Sequence, residues 1–407
     1  MLQNQIYSTD ATLMAKFAGG VVTDINGIRD RFGAPYSQNA NGVIPSTPAG
    51  IDSNFKMPQV WKTSIAVDYQ LPLPFPVTLT GEFTYTQNVN AVRLDNYNIK
   101  TSESDNWDRF VGADNRLIYP KKADYTYYTN VSSACVLTNT SKGYGWTASV
   151  QLTAEPIKDL RLTAAYTHTV MKEVTGMPGS NASSSWSYMH TINGPNLAEA
   201  MNSAYVTPDR VVANLSYKYG KEHFSLLYTG YSPSGWSYIY SNDLNGDGQS
   251  ADLIYIPKDD SEIKFVSDED RIAFWNFVEQ DDYLKNHKGE YAESYAARSP
   301  WVHTFDFKYA HDFDVKWGKT KHKLQLILNI QNVGNLLNSK WGVNQIPALS
   351  GQSNSQYKLL TKAKVENGVP VYSFAKEGGD YLKKSWDYSH SYGQCWGIQL
   401  GVKYFFN

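Results

Sequence analysis

Apolar and polar residues alternate with a period of two in nine segments of the chain. The segment WGIQLGVKYFFN (residues 396–407) puts Ile398, Leu400, Val402, Tyr404 and Phe406 on one parity, with Gln399 and Lys403 between them. WKTSIAVDYQ (61–70) sets Trp61, Thr63, Ile65, Val67 and Tyr69 against Lys62, Ser64, Ala66, Asp68 and Gln70. VTLTGEFTYT (77–86) sets Val77, Leu79, Phe83 and Tyr85 against Thr78, Thr80, Glu82 and Thr84. The same rhythm recurs in YGWTASVQLTA from Tyr144, LRLTAAYTHT from Leu160, VVANLSYKY from Val211, FSLLYTG from Phe224, HTFDFKYAH from His303 and KLQLILNIQN from Lys323. Such alternation predicts strands with one greasy and one polar face. Each is close to the ~9–11 residues that a tilted strand needs to cross a bilayer. A weaker tenth candidate lies near Ile6 to Phe17.

The joints between these segments alternate too. LPLPFP, EPIKDL, YGKEH and DVKWGKTKH are short, whereas residues 87–143, 170–210, 231–302 and 333–395 form long polar stretches. A soluble sandwich has no reason to keep every second loop short, but an outer-membrane barrel has short periplasmic turns and long extracellular loops. In hydrocarbon every backbone N–H and C=O must be paired internally, so a spanning sheet must close. The register then predicts Ile65, Val67, Phe83, Leu226, Leu326 and Leu400 toward lipid. Ala66, Glu82, Gln325 and Gln399 are predicted toward the lumen. Lys62, Asp68, Glu82, Arg161, Lys218, Asp306 and Lys403 all fall on the lumenal parity, where charge is tolerated; near the midplane of the lipid face it would cost ~2–4 kcal/mol.

Composition agrees with this picture. Tyr and Trp, 30 and 11 in number, carry an apolar body and a polar tip that suit a boundary between lipid and water. Charged residues are 19% and the net charge is −2, with no basic stripe to neutralise phosphates, so nucleic acid is not an expected partner. Two cysteines, Cys135 and Cys395, are too few for a disulfide framework. No apolar run is long enough for a transmembrane helix, and MLQNQIYSTDATLMAKFAGG lacks the basic and apolar regions of an export signal.

Two loop segments depart from the strand pattern. SDEDRIAFWNFVEQDDYLKNHKG (267–289) opens on Ser267 three residues before Asp270, a helix start. Ile272, Trp275, Phe277, Val278 and Leu284 make an apolar stripe, and Gly289 is the expected C-cap. Its Glu279, Asp281 and Asp282 are expected on a solvated face. DLNGDGQSAD (243–252) places Asp243, Asn245 and Asp247 at positions 1, 3 and 5 of an EF-hand-like calcium loop, with Gly248 at position 6 and Asp252 at position 10. Position 12 is Ile254 and not the bidentate Glu, so the alternative is an ordinary polar loop tip. SSSWSYMHTINGPN (183–196) and SWDYSHSYGQCW (385–396) mix aromatics with small polar residues, a composition suited either to sugar, peptide or partner contacts or to loop packing. Scattered histidines, the absence of a GxSxG elbow and the absence of a phosphate cradle argue against an enzyme.

With these residues in view, a family resemblance emerges. NIQNVGNLLNSKWGV (329–343) resembles the late strand and loop of TonB-dependent outer-membrane receptors. DLNGDGQSADLIYIP, WNFVEQDDYLKNHKGEYAE and FKMPQVWKTSIAVDYQLP are similar to the Oar-like branch found in Bacteroidetes. The ending KYFFN is similar to the terminal strand that outer-membrane barrels present to their assembly machinery. The resemblance implies an all-β antiparallel transmembrane barrel in the cell outer membrane, present in part: about ten strands of a 22-stranded plugged barrel. Residues 1–407 are expected to be the C-terminal portion of such a receptor, without plug, TonB box or signal peptide. The implied function is import of an unidentified nutrient: an oligosaccharide, peptide or chelate. The implied partners are outer-membrane lipid, the N-terminal plug and barrel half, the TonB system through that region, and a surface lipoprotein. A passive porin and a secreted glycan-binding β-protein are the alternatives.

Overall fold

In the computed structural model, which describes residues 46–317, 320–389 and 391–406, nine long strands follow one another in a single antiparallel meander. They are β1 (Gln59–Gln70), β2 (Val77–Asn96), β3 (Tyr144–Ile157), β4 (Leu160–Glu173), β5 (Asp209–Tyr219), β6 (Glu222–Tyr231), β7 (Val302–Trp317), β8 (Thr320–Gln331) and β9 (Gly397–Phe405). These are the nine segments with period-two alternation. The tenth candidate, near Ile6 to Phe17, lies outside the described residues.

Residues directly opposite one another in antiparallel strands share a face, and the pairing carries two faces across the whole meander. Ile65 stands opposite Phe83, which stands opposite Ala148. Leu226 stands opposite Phe307, Phe307 opposite Ile330, and Ile330 opposite Ile398. Leu326 and Leu328 face Val402 and Leu400. On the other side run Glu82, Ser149, Thr167 and Arg210, and further along Ser216, Ser225, Lys308, Asn329 and Gln399. The predicted outward set and the predicted inward set therefore occupy opposite faces without mixing.

The short joints are tight. Lys158 and Asp159 alone separate β3 from β4, and Gly220 and Lys221 alone separate β5 from β6. Asp159 and Gly220 take φ of 63° and 60°. Positive φ matches a two-residue turn to the twist of its strands, and Gly220 adopts it without steric cost. Among the described residues β1 pairs only with β2, and β9 only with β8, so the sheet is open and not closed into a barrel.

The long stretches are not loose polar loops. They fold into a cap with its own apolar core. A four-stranded sheet of Ser237–Tyr240, Gln356–Glu366, Val369–Phe374 and Lys264–Phe265 is covered by helix α1 (Asp268–Gln280). Phe274, Phe277 and Val278 of α1 are fully buried with Tyr238, Tyr357, Leu360 and Phe374. Strand β2 reaches into this cap. Its 20 residues, at about 3.3 Å each, span more than twice a bilayer's hydrocarbon core, and Ala91–Asn96 pair there with Cys135–Thr140.

The expected helix is present but divided, and its faces differ from the expected ones. Ser267 caps α1, its Oγ accepting from Asp270 N at 3.1 Å. The helix ends before Asp281, which caps a second helix, α2 (Asp282–Asn286). Asp281 is buried, not solvated: it accepts from Tyr238 Oη and Ser385 Oγ, each at 2.5 Å, and from the Tyr283 and Leu284 amides. Glu279 and Asp282 are exposed and pair with Lys288 and Lys285. Ile272 is 52% exposed and Phe274 takes the core position. Gly289 follows α2 by three residues and donates its N–H to Ile256 O (2.7 Å), so it serves the chain return and not the helix end.

Candidate functional site

The two faces of the meander differ as lipid differs from water. On one, Ile65, Val67, Phe83, Val150, Leu152, Leu215, Leu226, Phe305, Leu326, Leu400 and Val402 are all more than a third exposed. So many exposed large apolar side chains on one face mark an interaction or membrane surface. The opposite face carries Thr, Ser, Gln and paired charges. Asp312 is the clearest case, accepting from His223 Nε2 (2.9 Å), Lys323 Nζ (3.1 Å) and Gln325 Nε2 (2.7 Å). Where β4 meets the cap on this polar side, a cavity of about 460 Å³ is lined by Thr169, Met171, Asn202, His287, Glu293 and Arg298.

The acidic loop lies within the cap, between the strand Ser237–Tyr240 and Leu253, and its side chains organise its own backbone. Asp243 accepts from Gly246 N (2.7 Å) and Gly248 N (2.9 Å). Asn245 Oδ1 accepts from Asp247 N (3.0 Å), Asp247 Oδ1 from Gln249 N (2.7 Å), and Asp252 Oδ2 from Leu244 N (2.8 Å). Asn245, Asp247 and Asp252 are almost wholly buried. Two distant segments close over them: Tyr119 N donates to Asn245 O (2.8 Å), and Tyr119 Oη donates to Asn193 O (3.0 Å). Gly194 lies against this point. A Cβ there would stand 2.3 Å from Tyr119 Oη and 2.8 Å from Asp247 Oδ2. Neither Tyr119 nor Gly194 carries a sequence signal linking it to the loop.

Electrostatically the site is an acid cluster that Arg116 offsets only in part. Burial raises the Asp247 carboxyl well above its ordinary range, helped by the neighbouring charges of Asp252 and Asp243. Burial pushes Asp252 up to about 7, against the pull of Arg116. Arg116 is itself fully buried; it pairs with Asp114 (2.9 Å) and donates to Leu253 O (2.7 Å), while its Nη1 has no partner. Asp247 Oδ2 and Asn245 Nδ2 are buried with no hydrogen-bond partner. As the side chains stand, no group of three His, Cys, Asp or Glu among the described residues converges as a metal cluster.

The two aromatic stretches behave differently. In the first, Trp186 is buried and its Nε1 donates to Asn196 Oδ1 (2.8 Å), and His190 is buried against Tyr295; both serve packing. In the second, Trp386 packs on Tyr357, while Tyr392 is fully exposed and Trp396 sits half-exposed just before β9.

No family model matches the chain, and no curated protein sequence matches it. Among solved structures, the chain is similar to the outer membrane transporter YddB from Escherichia coli, with a TM-score of 0.39 and 8% identity. That match covers 89% of this chain and 35% of the transporter, so the chain spans about a third of that protein's length.

Proposed function

We propose that this chain is part of the barrel and surface cap of an outer-membrane transporter. We further assign it to the TonB-dependent receptors, Oar-like branch, importing an oligosaccharide, peptide or chelate. The observation that carries the membrane reading is the apolar face running across nine strands, exposed from Ile65 to Leu400 and broken by charge at the His168–Asp209 and Glu222–His311 pairs. Exposed to water it would drive aggregation; against hydrocarbon it is the face that belongs there. Tight turns at one end and a folded cap at the other give the polarity of an outer-membrane receptor. The polar face beneath the cap is the solute path, and the cavity beside Arg298 and Glu293 is the first candidate binding place along it. TonB dependence and the branch rest on the sequence resemblance.

Single cysteines placed in a Cys395→Ser background test the membrane assignment, because Cys395 is exposed whereas Cys135 is buried. Spin labels at Leu226, Leu326 and Leu400 in bilayers should be relaxed by oxygen and protected from a water-soluble nickel chelate. Labels at Ser225, Gln325 and Gln399 should show the reverse. Equal access of the chelate to both sets would refute a lipid-facing surface.

A further inference from the structure

We propose that residues 243–252 hold a calcium ion that fastens three segments of the cap together. The observation that points to a ligand is Asp247. Its residue is 4% exposed, its Oδ1 is taken by Gln249 N, and its Oδ2 meets no partner. A proton would not resolve this, since the protonated oxygen would become a buried donor without an acceptor. A cation would. Asp252, 2% exposed, and Asp243 bring two further carboxylates to the same loop, and Arg116, the buried cation alongside, is already held by Asp114.

The donor set selects the ion. Asp243, Asn245, Asp247 and Asp252 offer only hard oxygens, and the backbone carbonyl of Gln249 occupies the position that supplies a main-chain ligand in loops of this spacing. An oxygen that accepts one N–H keeps another lone pair, so the hydrogen bonds that shape the loop do not exclude ligation. Six to eight oxygens on a flexible loop suit calcium better than magnesium, which demands a tighter octahedron and dehydrates reluctantly. The side chains must draw inward to ligate. Gly194 leaves the room, because it presents no Cβ beside Asp247 Oδ2. The Tyr119–Asn245 and Tyr119–Asn193 hydrogen bonds then connect the ion's loop to residues 97–143 and 174–208. This proposal does not depend on the transport reading, since binding is measured on the folded chain whatever it carries.

Terbium is the probe, with the chain extracted in detergent from the outer membrane as part of its larger barrel, without refolding, and stripped with EGTA. Tyr119 packs against both Trp107 (4.6 Å between ring centroids) and Tyr125 (5.2 Å), so excitation of this cluster should sensitise Tb³⁺ emission. Calcium should displace the signal and magnesium should not. Asp247→Asn should weaken binding roughly tenfold or more, as expected on losing ligand charge; Asp282→Asn, an exposed acid elsewhere, should leave it unchanged. Should Asp247→Asn fail to fold, as judged by its tryptophan emission, Asp243→Asn at the half-exposed end of the loop decides in its place. The proposal is overturned if the wild type gives no sensitised emission, if magnesium competes as well as calcium, or if the folded loop variants bind like the wild type.

Discussion

At the scale of single residues, the cap is held by polar groups that have no access to water. His190 is buried on Tyr295. Ser237 Oγ accepts from Tyr295 N (2.7 Å) and shares a hydrogen bond with His190 Nδ1 (2.6 Å), while His190 Nε2 is buried without a partner. Burial holds the ring neutral, with its pKa brought down from 6.5 to about 4. As pH falls below 6.5 the unfolded chain takes up a proton that the folded cap refuses. Cap stability is therefore fullest above 6.5, declines by up to about 3 kcal/mol toward pH 4, and loses no more through this group below that. Denaturant unfolding followed by tryptophan fluorescence should show this slope in the wild type and a flatter one in His190→Phe. Asp281 poses the complementary case, because four donors converge on one buried carboxylate. Asp281→Ala strands them all and should cost about 3–5 kcal/mol in the same assay. A loss under 1 kcal/mol would mean that water enters to replace the carboxylate.

At the scale of elements, the two solvents of the meander explain what the sequence disclosed and what it hid. A strand with lipid on one side and water on the other must alternate at every residue, so all nine long strands and their register are visible in the chain. Cap strands such as Ser237–Tyr240 are buried on both faces, with all four residues inaccessible, and no alternation survives there. The α1 stripe was legible at Phe277 and Val278, but Phe274 escaped for a related reason: it is buried by the strand Val369–Phe374, about a hundred residues away, which no local pattern announces. The Asp and Gly spacing of the acidic loop was legible because it is local; its cover by Tyr119 and Gly194 was not. The register predicts an asymmetry in β8. Leu326→Arg should cost ~2–4 kcal/mol when the larger barrel that contains this chain refolds into bilayers. Gln325→Arg, one residue away beside Asp312, should cost little, and equal penalties would argue that both side chains meet the same medium. Ser267→Ala should remove about 1 kcal/mol from the cap, the usual worth of an N-cap hydroxyl.

At the scale of the whole molecule, the decisive feature is the pair of open edges. In β1 every residue is exposed, and in β9 most are, because neither strand has a neighbour on its outer side among the described residues. About half of the backbone N–H and C=O groups of each edge strand are then unpaired, and in hydrocarbon each such group costs several kcal/mol. Water tolerates the edges but not the apolar face, and a long exposed edge recruits other chains. Neither solvent accepts the described sheet as it stands, and this supports our proposal that it belongs to a larger barrel whose further strands pair with β1 and β9. These 407 residues expressed by themselves should therefore aggregate on refolding into detergent, or close abnormally by joining the two edges. Migration on gels with and without heating, followed by conductance in planar bilayers, separates the outcomes. A smear or a non-conducting species agrees with a partial barrel. A monodisperse band that shifts on heating, together with a stable, reproducible pore, would show that the chain closes by itself, and the assignment to part of a larger receptor would then be wrong.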